Sequence, residues 1–269
     1  YGSIQQALDQ NPGRMVFVPP GDHVIDKAIQ ITGDGSGLWG FARIVQSNPD
    51  AAIVEVRNAS HAQVRDVTLT RAGGRQETSQ PGLLFVRCTD ATAANVQVID
   101  NWTLSSPIRA EKCVRIVIRD CLVENYYRLA IEDWTKPAAN SGVCSGFAYR
   151  CMNGTGINII EPAGALIQGN RVVEDRLLPT PEIKERYQLG KFVKKNATKG
   201  PHIDQKSWDT EYWNGWRQGA GIHVGPGKTS DAVQLIGNHI EHTQQGFDLQ
   251  ADHVILANNI VVDAGHGMK

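Results

Sequence analysis

Two stretches late in this 269-residue chain share one layout. Gly221-Ile222-His223-Val224 is followed by the run Val233 to Ile240, and Gly246-Phe247-Asp248-Leu249 by the run Val254 to Val261. The second unit begins 25 residues after the first. Short strands joined by Asn and Gly corners, at a period of about 20–30 residues, describe a β-solenoid rather than a layered globular domain. A solenoid stacks equivalent positions about 4.8 Å apart, the spacing of paired strands. Columns in the aligned sequence therefore become columns in space.

The coils are expected to open with short alternating strands at Ile53 to Arg57, Leu84 to Cys88, Ile108 to Lys112, Leu129 to Asp133, Ile157 to Glu161, Ile222 to Gly225 and Phe247 to Gln250. Side chains alternate in and out along a strand. The inward set then reads Val54/Val56, Leu84/Val86, Ile108/Ala110, Leu129/Ile131, Ile157/Ile159, Ile222/Val224 and Phe247/Leu249, apolar and largely β-branched as a buried stack requires. A second strand set follows each corner, and Asn170, Asn238 and Asn259 recur within it. Such amides satisfy backbone groups at tight turns. Ser3 and Gln6 form a capping-box pattern for a short N-terminal helix, with Ile4, Ala7 and Leu8 on one face. That helix would cover the open end of the stack. The glycine-rich corner Gly33 to Gly37 lacks the Lys-Ser/Thr ending of a phosphate-binding loop.

A formal charge of −1 gives no basic excess for nucleic acid. No apolar run approaches the ~18 residues of a membrane span. The start at Tyr1 and the unfinished-looking coil at Gly265 to Lys269 suggest a piece of a longer chain. Five Cys cannot all pair internally. Cys88 with Cys113, and Cys121 with Cys151, fall on neighbouring repeats, where stacked positions suit either disulfides or a ladder of buried thiols. No CxxC or HxxxH pair suggests a metal site.

The Gln-Ala-Leu helix, then Phe17-Val18-Pro19-Pro20-Gly21, then coils with Asn corners, resembles the pectate-lyase-like superfamily of right-handed parallel β-helices. The resemblance covers the chain except residues 176 to 218. It implies an all-β, right-handed parallel β-helix of one domain, 1–269, with a capping helix and one long inserted loop. It also implies a secreted, extracellular or periplasmic protein acting on a polysaccharide or oligosaccharide, monomeric or, as in tailspikes, a homotrimer. The superfamily spans lyases, polygalacturonase-like hydrolases, epimerases and tailspikes, so the fold alone does not choose the chemistry. Gly265-His266-Gly267 matches a hydrolase motif by letter only, since it falls on the wrong coil.

The outward column of the first strand set reads Glu55, Phe85, Arg109, Ala130, Asn158, His223 and Asp248. His223 and Asp248 stand one coil apart, and an Asp beside a His suits it to acid–base work. Glu132, Asp133 and Glu161 fall at strand ends on successive expected coils, close enough to raise one carboxyl pKa. Glycoside hydrolysis by Glu132, Asp133, Glu161, His223 and Asp248 is the first reading, without a cofactor. Residues 176 to 218 break the period and hold three of the six Trp. They are expected to wall the groove beside His223. Trp208, Trp213, Trp216 and Trp134 would then stack on sugars, with Arg109, Asn158, Lys206 and Arg217 completing the binding set. The alternatives are a polysaccharide lyase, with Lys206, Arg217, Lys269 or His223 as base and Ca²⁺ as a family cofactor, and a non-enzymatic glycan-binding module.

Overall fold

The computed structural model describes residues 2–73, 77–136, 144–228 and 230–269. The chain winds through three parallel eight-stranded sheets in strict rotation, so each turn adds one strand to each face. This is a parallel β-helix, with the right-handed winding that strand–crossover–strand connections adopt. The third face carries Ile29–Ile31, Val54–Arg57, Leu83–Val86, Ile108–Glu111, Ile157–Ile160, Ala220–Gly225, Gln245–Leu249 and His266–Met268. The sequence suggests two strand sets per coil. The second splits at its Asn corner, giving a first face (such as Asp231–Ile236) and a second face (such as His239–Glu241).

Ile29, Val54, Leu83, Ile108, Ile157, Ile222 and Phe247 form one inward stack, each at most 3% exposed. Burial of each large member stabilises the fold by roughly 1.5–3 kcal/mol. One strand departs from expectation by a residue. Leu83 and Phe85 point inward, not Leu84 and Val86, and Leu84 rather than Phe85 takes the outward slot beside Arg109. Four consecutive apolar residues carry no alternation, so the neighbouring strands set the phase.

The repeated glycine at the start of third-face strands is explained by close approach. A Cβ on Gly221 would lie 2.4 Å from Ile240 Cγ2, and one on Gly156 would lie 2.3 Å from Val172 Cγ1. Inward residues of the second face fill that space. At the corner between the first and second faces, the Asn170 side chain donates to Ile118 O (3.0 Å) and to Asn238 Oδ1 (2.9 Å), and accepts from Cys121 N (3.0 Å). Asn238 in turn donates to Ile167 O and Asn259 Oδ1, both at 2.9 Å.

Helix α1 (Ile4–Gln10) caps the first coil, with Ser3 Oγ accepting from Gln6 N. Gln6 reaches back to Gly2 N rather than Ser3 N. Gln5 accepts from Gln30 N and donates to Gln30 O, so its amide covers the exposed edge of the third face. All five cysteines are free thiols, four of them buried. The hydrogen bond from Cys88 and burial both push Cys113 up, and burial pushes Cys121 up to about 12.

Two excursions interrupt the winding, both between a second-face and a third-face strand. One spans 125–156 and the other 174–219. They meet in an antiparallel sheet of Arg128–Asp133, Phe147–Asn153 and Phe192–Lys195. The later excursion also holds α2 (Pro181–Tyr187) and α3 (Gln205–Thr210). The strand expected as a coil at Leu129 to Asp133 thus belongs to an excursion. Ile108 pairs directly with Ile157, 49 residues on, which is two periods.

Candidate functional site

The true register of the third face gives the outward column Gln30, Glu55, Leu84, Arg109, Asn158, His223, Asp248 and then the position of Lys269. Parallel pairing sets Asn158, His223 and Asp248 on successive rungs, because each lies one residue past an inward apolar member of the stack. His223 Nδ1 is 2.9 Å from Asn158 Oδ1. An amide oxygen only accepts, so Nδ1 carries the proton and Nε2 the lone pair. Nε2 stands 4.0 Å from Asp248 Oδ2, with the two side chains 22% and 20% exposed. Burial lowers the His223 pKa below its ordinary value, the Asp248 carboxylate pulls it back up, and Arg109 and Lys269 press it down. The balance is a neutral imidazole with one fixed tautomer and one available basic nitrogen.

Arg109 is held by Glu111 (2.5 Å) and Ser105 (3.4 Å). With Leu84, Ser79–Pro81 and Leu104 these residues line a cavity of about 380 Å³ on the third face. A second cavity, of about 430 Å³, opens on the other side of Leu104, between the two excursions.

The other expected residues lie elsewhere. Glu132 and Asp133 sit on the excursion sheet, away from the column. Glu132 accepts from Asn153 at 2.7 Å. Asp133 is bonded by the Thr135 hydroxyl and backbone and by Lys194 (3.0 Å), which hold it at about pKa 2. That is the reverse of what a proton donor needs. Glu161 has φ 51°, matching Asn58, Arg87 and Lys112 at the same turn on other coils. It is a corner residue three positions past Asn158, about 10 Å along the strand.

Trp208 and Trp213 pack against the excursions' own core of Phe147, Tyr149, Cys151 and Ile203, and Trp216 packs against the solenoid core. All three are half-buried, part framework and part accessible surface. Trp134 stacks on Phe147 (6.2 Å) and remains 39% exposed. Lys206 is exposed on α3. Arg217 reaches Thr243 O at 2.6 Å, at the corner leading into the third face. Sequence reasoning named Lys269 only as a candidate lyase base, without its place on this column, and did not single out the three arginines of the second cavity, Arg128, Arg150 and Arg186.

Calcium takes six to eight oxygens. The column offers Asp248 and an Asn158 oxygen already bonded to His223, with cations on both sides, so these residues do not fit Ca²⁺. Among the described residues, Asp175, Glu241 and His242 bring ligand atoms within 4.8 Å of one another at the corner between second and third faces. Arg171 and His239 already contact Glu241, at 3.4 and 2.5 Å. No described helix is long and apolar enough to cross a membrane.

No protein-family model matches the chain, and no curated protein matches it. Among solved structures it is similar to a pectin methylesterase from Yersinia enterocolitica, at 10% identity and TM-score 0.45, covering 99% of this chain and 90% of that one. It is also similar to a mannuronan C-5 epimerase A-module from Azotobacter vinelandii, at 11% identity and TM-score 0.41, covering 99% and 91%. A pectate lyase follows at 11% identity and TM-score 0.32, covering 96% and 72%. In fold, then, the chain is a right-handed parallel β-helix, a conclusion that rests on its own strand order.

Proposed function

We propose that the protein is a carbohydrate-active enzyme that cleaves a uronate-containing glycan by β-elimination, with His223 as the base. The observation that carries this reading is the Asn158–His223–Asp248 arrangement. Asn158 fixes the tautomer, so Nε2 is the free base at neutral pH. In the step, Nε2 removes the proton at C5, next to the uronate carboxylate. The electron pair forms the C4–C5 double bond, the C4–O4 bond breaks, and the departing oxygen takes a proton from solvent. Asp248 stabilises the imidazolium, and the positive field of Arg109 and Lys269 favours the substrate carboxylate and the charge that develops on it.

Hydrolysis is less well supported. An inverting enzyme needs a second carboxylate about 6.5–9.5 Å from the first. By strand geometry Glu161 stands two rungs and three residues from Asp248, and Glu111 three rungs and two residues, each about 14 Å or more away. The neighbours that act on pectin or mannuronan are consistent with a glycan substrate, and no more than that.

The test is a panel of polyuronates and neutral glycans, followed by the short-wavelength ultraviolet absorbance of an unsaturated uronate and by reducing ends. Both signals should rise together on a polyuronate and vanish in His223→Ala. New reducing ends without absorbance would show hydrolysis instead. Binding without either signal would leave a glycan-binding module.

A further inference from the structure

The larger of the two cavities is not part of the base column. It lies between the excursions, and three guanidiniums line it. Arg128 begins one excursion strand, Arg150 lies on its antiparallel neighbour, and Arg186 comes from α2. Arg128 is already partnered: Glu77 stands 3.2 Å from its Nε and its Nη1 donates to Thr78 O at 2.9 Å, so the unneutralised charge is that of Arg150 and Arg186. Among the described residues no carboxylate is in ion-pair contact with Arg150 or Arg186. Tyr187 lies beside Arg186, with the guanidinium 5.3 Å from its ring, and Leu104 and Ile131 add exposed apolar surface. Guanidiniums bind planar oxyanions through paired N–H bonds. Apolar and aromatic surface between them suits the C–H faces of a sugar ring. Leu104 also lines the cavity that holds Arg109, so the two cavities adjoin across this one side chain. Arg109 itself is two rungs from His223, about 10 Å.

We infer that the arginine cleft between the excursions binds an anionic substituent, carboxylate or sulfate ester, of the same glycan chain whose reacting sugar lies at His223. This rests on the reading of the third face as the reacting surface. The cleft gives the enzyme a requirement for charge at a distance from the reacting bond, and it fixes how the chain lies across the two adjoining cavities.

The test is calorimetric titration of His223→Ala, which prevents turnover, with and without Arg150→Gln and Arg186→Gln. The probes are a hexagalacturonate, a sulfated neutral hexasaccharide and an uncharged hexasaccharide. Affinity for at least one charged probe should fall tenfold or more on removing both arginines, and its dependence on salt should flatten. Whichever charged probe responds identifies the anion. Lys at both positions should restore part of the loss, which separates charge from misfolding. Equal affinity with and without the arginines overturns the inference, as does an equal loss for the uncharged probe. Turnover is measured separately in the wild type and in His223→Ala. Arginine-dependent binding with turnover that survives His223→Ala removes the base and keeps the cleft. Arginine-independent binding with turnover abolished does the reverse.

Discussion

The coils and the excursions bury apolar surface in different ways. On the third face each inward residue sits between like residues of the coils before and after, as Ile108, Ile157 and Ile222 do. The excursions instead gather Phe147, Tyr149, Cys151 and Ile203 under Trp208 and Trp213, in a small core of their own. Phe147 alone has ring neighbours in Trp134, Tyr149, Phe192 and Trp213. The chemistry divides along the same line. The coils hold Asn158, His223 and Asp248 in register with Arg109 on the same column, and the excursions gather Arg128, Arg150 and Arg186 around a separate cavity. A solenoid supplies exact spacing along one direction, whereas lateral walls have to be built from inserted chain.

The sharpest test of that division is His223→Ala. It should lower kcat by about 10²- to 10⁴-fold, the usual loss for a general base, with the fold intact by circular dichroism. Comparable loss from Glu132→Gln would move the chemistry onto the excursions. Next, Phe147→Ala should cost the excursion core about 3–5 kcal/mol. Hydrogen exchange should then accelerate across residues 128–133, 147–153 and 192–195 while the coil strands stay protected. Uniform loss of protection would mean that coils and excursions unfold as one unit. In the coils, Asn238→Ala strands buried donors of Asn170 and should cost about 1–3 kcal/mol in urea unfolding.

The pH profile provides a gentler test. Because the His223 pKa is lowered in the folded protein, activity should hold above the ordinary histidine value and disappear only as pH falls through the lower folded one. The linked stability has the same sign. The unfolded chain takes up the proton first as pH falls, so stability declines from about pH 6.5 downward to the folded pKa. A flat profile across that window would sink the assignment. The smallest effect is expected from Asp133→Asn, which alters an exposed ion pair with Lys194 and should change neither kcat nor the unfolding midpoint measurably.

Much of the coil was legible because alternation and spacing report the same thing. Gly221 to Val224 and Gly246 to Leu249 place His223 beside Asp248 from letters alone, and the register agrees. Leu83 to Val86 defeated the same reasoning, since a uniformly apolar strand has no phase. Leu129 to Asp133 misled it differently. Alternation identifies a strand but not the sheet that the strand joins, and a spacing of 21 from Ile108 passes for one coil. The doubled interval from Ile108 to Ile157 was the available clue to the first excursion. No sequence pattern unites Arg128, Arg150 and Arg186, because antiparallel pairing and helix packing bring them together. Trp208 and Trp213 read as sugar platforms in the sequence, yet both also pack on the excursion core, because aromatic residues serve cores and ligands equally well.

The asparagine corner gives the stack a direction. Asn238 Oδ1 receives both the backbone and the side-chain N–H groups of Asn170, and Asn259 Oδ1 receives both from Asn238. The corners at Asn170 and Asn238 therefore each present two aligned donors toward the coil that follows. A chain emerging from its N-terminus would meet at these two turns a template that welcomes an oxygen-bearing corner residue, where the earlier coils carry Val67, Val96 and Cys121. Along the last coils, one side chain per turn thus ties the register of each coil to the one before it.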